Sequence, residues 1–200
     1  MKVAVYCASS TLVSKENQEL GFELGASLAK LGHELVWGGG AISVMGEVAK
    51  GARKFGGRTI GVIPERLMSV EFIDHNSSQT HVVKDMRERK GLIESLADGF
   101  IALPGGIGTL EELLEIWVGR YLGLHSKPIA ILDPSDVSWA CQTKCKQTAD
   151  VIHDQQFRIY VLLYLIQPRP VVLHWAHVAR THQFADPASH DILQICDASS

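Results

Sequence analysis

The run Leu103-Pro104-Gly105-Gly106-Ile107-Gly108-Thr109-Leu110-Glu111-Glu112 sets three glycines and a threonine between an apolar stretch and a helix-patterned one. Missing side chains let main-chain N–H groups approach an oxyanion, and the positive end of a helix dipole favours negative charge there. The pattern reads as a phosphate cradle. It has neither the Gly-Lys-Ser/Thr ending of a Walker loop nor the dinucleotide spacing G-x-G-x-x-G. The same residues also fit a plain tight connection, in which Thr109 caps a helix and Glu112, three residues on, completes a capping box.

A second cluster is Asp85-Met86-Arg87-Glu88-Arg89-Lys90. It brings three cations into the first turn of a helix, where the dipole disfavours them, so an anion should compensate. Met86, Arg89, Lys90, Ile93 and Ala97 follow helical spacing, which sets Arg89 and Lys90 on an apolar stripe. A solvated face partnered by Glu88 and Glu94 is the alternative. The third cluster is Gly38-Gly39-Gly40-Ala41-Ile42-Ser43, again where a strand pattern gives way to a helical one. In open α/β sheets ligands collect at the carboxyl ends of strands. Three strand patterns end there in small residues: Cys7 to Ser10, Gly38 to Gly40, and Gly105 to Gly108. Ser9, Gly39 and Gly40 are binding candidates on that ground.

The elements that must hold these clusters alternate strand and helix. Strands are expected at Val3 to Cys7, His33 to Trp37, Arg58 to Ile63, Thr80 to Val83, Gly99 to Leu103 and Pro128 to Leu132. Helices are expected at Glu16 to Leu31, Val44 to Phe55, Met86 to Ala97, Leu110 to Leu122 and Asp136 to Ile152. Glu65 to Ser78 shows neither period and reads as a loop over the site. This alternation predicts a single-domain, Rossmann-like, doubly wound α/β fold, a parallel sheet with helices on both faces.

Composition narrows the function. The 200 residues carry 46% apolar and 20% charged residues, enough for one real core. A net charge of -3 argues against a nucleic-acid polymer as partner. The first residues read as a strand rather than a signal peptide, and no run approaches a membrane helix. Four scattered cysteines suit a reduced cytoplasm better than a disulfide framework. All 18 glycines lie between Gly21 and Gly123. His174, His177 and His182 do not share one helical face, so they are read as surface histidines rather than a metal site. Polar turns and prolines break any sustained period in the last 40 or so residues, which are expected to be poorly ordered or packed outside the core.

Pro-Gly-Gly-x-Gly-Thr-x-x-Glu at Pro104 to Glu112, preceded by Met-x-x-Arg-Lys at Met86 to Lys90, resembles the signature pair of the Lonely Guy family, whose members were long labelled lysine decarboxylases. The likeness extends from Lys2 to about Asp154 and takes in the glycine triplet. It implies hydrolysis of the N-glycosidic bond of an N6-modified AMP to a free base and ribose 5-phosphate; AMP itself is expected as a further substrate. It implies Arg89 and Glu112 as catalytic residues. It implies nucleotide binding by Met86, Arg89, Lys90 and the run Gly105, Gly106, Ile107, Gly108, Thr109, Leu110 and Glu111, with Glu71 as a further substrate-binding carboxylate. It also implies a homodimer, and it calls for no metal and no cofactor.

The chain departs from the family at Arg87, where His is common, at Ala8 and Ser43, where Gly is common, and at Val118, where Thr is common. Beyond about Gln156 nothing matches, which an altered reading frame near residue 157 would also produce. Residues 1-156 are therefore expected to form the catalytic domain and 157-200 a divergent tail rather than a second domain. Two rivals remain: a non-catalytic nucleotide-binding or carrier protein of the same fold, and a pyridoxal-phosphate lysine decarboxylase. The chain has neither the length nor a convincing Schiff-base lysine for the latter.

Overall fold

The computed structural model describes residues 1–68, 73–132 and 160–161. The strands are β1 (Lys2–Tyr6), β2 (Glu34–Trp37), β3 (Thr59–Pro64), β4 (Gln79–Val83), β5 (Gly99–Ala102), β6 (Ile129–Ile131) and β7 (Tyr160–Val161). The helices are α1 (Lys15–Lys30), α2 (Ser43–Lys54), α3 (Met86–Leu96) and α4 (Ile107–Tyr121). They form one sheet in the order β4-β3-β2-β1-β5-β6-β7. β1 to β6 run parallel, and β7 pairs with β6 antiparallel.

β1, β2 and β5 are short apolar runs, and β3 is buried at every position, as parallel strands covered on both faces must be. Trp37, Phe100, Leu35, Ile60 and Ile63 are fully enclosed. Each such side chain stabilises the fold by roughly 1.5–3 kcal/mol relative to exposure. α1 starts where the Ser14 side chain accepts from the Asn17 N–H. It lies against α2 closely enough that a Cβ on Gly25 would sit 1.9 Å from the Val48 carbonyl oxygen. Right-handed crossovers put α1 and α2 on one face as the chain steps outward from β1, and α3 and α4 on the other after it returns through β5. The doubly wound prediction holds.

The order reverses between β1 and β5, which makes their carboxyl ends the topological switch point. Three details differ from expectation. α4 begins at Ile107, three residues early, with Gly106 at its N-cap and no side-chain cap bond. Thr109 is thus inside the first turn and the capping box does not form. The expected loop from Glu65 holds a 3-10 turn (Glu65–Leu67) and an antiparallel bridge from Ile73 to Gly40. β7 was not expected, because two residues carry no readable period. The expected helix from Asp136 to Ile152 and the tail histidines lie outside the described residues.

Candidate active site

Asp85 caps α3 by accepting from the Arg87 and Glu88 N–H groups, which supplies the anion that a cationic first turn requires. The cap fixes the helix so that Arg89 points inward, where it is only 5% exposed. Its Nε donates to the Val62 carbonyl and its Nη2 to the Gly38 carbonyl, each at 3.2 Å, while Nη1 lies 3.7 Å from the Met86 sulfur. A buried guanidinium must satisfy its five N–H donors. The residue after β2 and the body of β3 satisfy one flank and leave the other to the cleft. Gly38 has no alternative residue type here, since a Cβ on it would sit 1.8 Å from Nη2.

Gly39 and Gly40 stand behind this anchor rather than in the cleft. The Gly39 carbonyl accepts from the Asp74 N–H at 2.9 Å, and the Gly40 carbonyl accepts from Trp37 Nε1 at 3.2 Å. Asp74, itself buried, pairs with Arg53 of α2. The triplet therefore ties the returning loop to the strand that holds Arg89.

At the switch point a cleft of about 620 Å³ opens between the loop after β1 and the start of α4. Of the residues expected from sequence, Ser9, Met86, Arg89, Gly106, Ile107, Gly108, Thr109, Glu111 and Glu112 line it. Gly105 lies beneath, where a Cβ would meet the Thr109 hydroxyl at 2.2 Å. Leu110, Lys90, Gly39 and Gly40 do not line it, and Glu71 lies outside the described residues. Sequence reasoning missed Thr11, Leu12, Met45 and Leu67, which complete the walls. The strand-end rule could have reached Thr11 and Leu12; nothing in the pattern marks Met45 or Leu67.

Glu112 is half-buried and lines the same cleft as Arg89. Burial pushes its carboxyl up to about 7 from an ordinary 4.5, with Glu111 and Glu115 adding to the rise and Arg89 and Lys90 opposing it. Lys90 bridges α3 to α4: its ammonium pairs with Glu111 and, at 2.8 Å, with Glu115. Those two carboxylates hold its pKa above the usual lysine value. Because α4 starts at Ile107, the unpaired N–H groups of its first turn fall at the cleft. The Cys7 thiol in the same wall is pushed up by burial, away from thiolate character.

A Rossmann-like sheet thus brings a guanidinium, a carboxyl and a helix N-terminus suited to an anion to one cleft at the switch point. A family model described as "Possible lysine decarboxylase" matches residues 45–146. The cytokinin riboside 5'-monophosphate phosphoribohydrolase of Mycobacterium tuberculosis is 51% identical over 132 residues, covering 66% of this chain and 70% of that protein. The enzyme of the same name from Arabidopsis thaliana, LOG7, is 40% identical over 66% of this chain and 61% of its own. Among solved structures, the molybdenum cofactor carrier protein of Chlamydomonas reinhardtii superposes with a TM-score of 0.55 at 25% identity, covering 66% of this chain and 75% of that one. The chain belongs to the Lonely Guy family of phosphoribohydrolases.

Proposed function

We propose that the cleft cleaves the N-glycosidic bond of an N6-modified adenosine 5'-monophosphate, a cytokinin riboside 5'-monophosphate, to the free base and ribose 5-phosphate, and that it accepts AMP itself. Water adds to C1' as the C1'–N9 bond breaks; the base leaves with the electron pair and gains a proton. The observation that carries this reading is the Glu112 carboxyl lining the same cleft as an arginine anchored to the main chain, with burial raising that carboxyl to about 7. As the bond breaks, positive charge grows on the ribose, and ionised Glu112 stabilises it and orients or deprotonates the water. Arg89 holds the substrate with its free N–H groups. The N–H groups at Ile107, Gly108 and Thr109 take the 5'-phosphate, with Ser9, Met86, Gly106 and Glu111 around the nucleotide. Lys90, Gly105, Leu110, Gly39 and Gly40 support these residues from behind, and Glu71 is assigned to the substrate by the family likeness alone.

The carrier reading is favoured by the structural match to a cofactor carrier. A carrier has no need for a carboxyl poised near neutrality beside an arginine. Incubation of the purified chain with AMP and with isopentenyladenosine 5'-monophosphate, followed by chromatography, should show free base and ribose 5-phosphate. Tight binding of either nucleotide without base release would select the carrier. Residues 1–156 act as the catalytic unit and 157–200 as a tail rather than a second domain; Tyr160 and Val161, the described residues of that stretch, pair with β6. Among the described residues no helix is long and apolar enough to cross a membrane. The enzyme works in the cytoplasm as a homodimer.

A further inference from the structure

Among the described residues Ser43 is alone in combining a side chain with a positive φ, at +57°. A Cβ is disfavoured in this left-handed region and glycine is not. Strain of this kind persists when the surroundings over-determine it, and it concentrates where function needs a fixed geometry. Here the compensation is visible: the Ser43 hydroxyl donates to the Ser10 carbonyl at 2.5 Å, across 33 residues of sequence. A second tie runs parallel to it, from the Met45 N–H to the Ala8 carbonyl at 3.3 Å.

Both ties hold the loop that follows β1. Ser10, Thr11 and Leu12 of that loop line the cleft, and the Ser10 Oγ accepts from the Leu12 N–H at 3.2 Å, so fixing Ser10 also fixes Leu12. Ser43 itself is not in the wall. A glycine at this position would relieve the strain and would leave the Ser10 carbonyl without its hydroxyl partner.

We infer that Ser43 is a positioning residue: its hydroxyl, offered from a left-handed backbone at the start of α2, fastens the loop after β1 in the shape that closes one wall of the nucleotide cleft. The inference rests on the cleft being the nucleotide site. A fastened loop is already ordered before the nucleotide arrives, so binding does not bear the cost of ordering it. Loss of the fastener should weaken binding and leave the chemistry at Glu112 unchanged.

Three variants of the full chain separate this role from a merely structural one. Ser43→Gly removes both the hydroxyl and the strain; Ser43→Ala removes the hydroxyl and keeps the strain; Ser43→Asn tolerates the left-handed region and restores a donor. With isopentenyladenosine 5'-monophosphate, S43G and S43A should both raise KM, by about three- to tenfold at nearly constant kcat. The thermal midpoint should fall for S43A and hold or rise for S43G, and S43N should return KM toward the parent value. An S43G enzyme with unchanged KM would overturn the inference, as would one whose kcat and midpoint fell together. If the parent chain released no base, the proposed reaction would fail instead, and AMP titration calorimetry would decide the inference: equal Kd for the parent and S43G would overturn it.

Discussion

Glu112 carries opposite consequences for activity and for stability. The proposed reaction needs its carboxylate, which is lost as pH falls through about 7, so kcat/KM should fall close to tenfold per pH unit below that value. Folding prefers the other form. The folded chain holds a proton on Glu112 between about 4.5 and 7 that the unfolded chain has released, so the stabilisation this site gives is complete below about pH 4.5 and is lost as pH rises through 7. Glu112→Gln should therefore lose turnover by a factor on the order of a thousand or more while retaining AMP binding. At pH 8 it should be more stable than the parent by on the order of 1–3 kcal/mol, with the gain shrinking toward pH 5. Steady-state rates and urea unfolding at both pH values check the pair. Turnover that survived in E112Q would remove Glu112 from the chemistry.

Elements matter here mainly for what they bring to Arg89. Its residence on an apolar stripe was legible in the 3.6 spacing of Met86, Arg89, Ile93 and Ala97, and the structure buries it accordingly. Its partners were not legible. The Gly38 carbonyl lies 51 residues away and acts through its main chain, which leaves no residue-type signal. β2, β3 and β5 were readable because short apolar runs stop at Gly or Pro. The start of α4 was misread because Thr109 and Glu112 match the capping-box spacing; Gly106 opens the helix with no side chain to announce it. A test at this scale is Gly38→Ala. The added methyl has to displace the guanidinium, so base release should fall by about two orders of magnitude, comparable to Arg89→Ala, in a chain whose circular dichroism is preserved. Activity within a few-fold of the parent would mean that Arg89 works from another position.

At the scale of the whole molecule, the far half of α4 and the turn after it leave apolar side chains in water. Val118, Tyr121, Leu122 and Leu124 are 52%, 79%, 63% and 75% exposed. Large apolar side chains left exposed close together in sequence are what a contact surface would use, and they lie on and just after the helix whose other end lines the cleft. It supports the proposed homodimer. Sedimentation equilibrium should return twice the chain mass, and Tyr121→Glu with Leu124→Glu should return the single mass. A parent chain sedimenting as a monomer at micromolar concentration would count against assembly through any face.

The placement of the cleft over the β1/β5 junction bears on how such a protein can change its preferences. β1 and β5 are hydrogen-bonded neighbours at the centre of the sheet, joined from Val3↔Gly99 to Tyr6↔Ala102. The spacing between the two wall-bearing strands is thereby set by the ladder, whatever the walls are made of. Residues 8–12 extend past the ladder's end and stand apart from Glu112 and the phosphate-facing first turn of α4, so their exchange alters what the cleft selects without re-registering a strand. New substrate preferences are open to this scaffold through the loop after β1, and the rest of the sheet can be inherited unaltered.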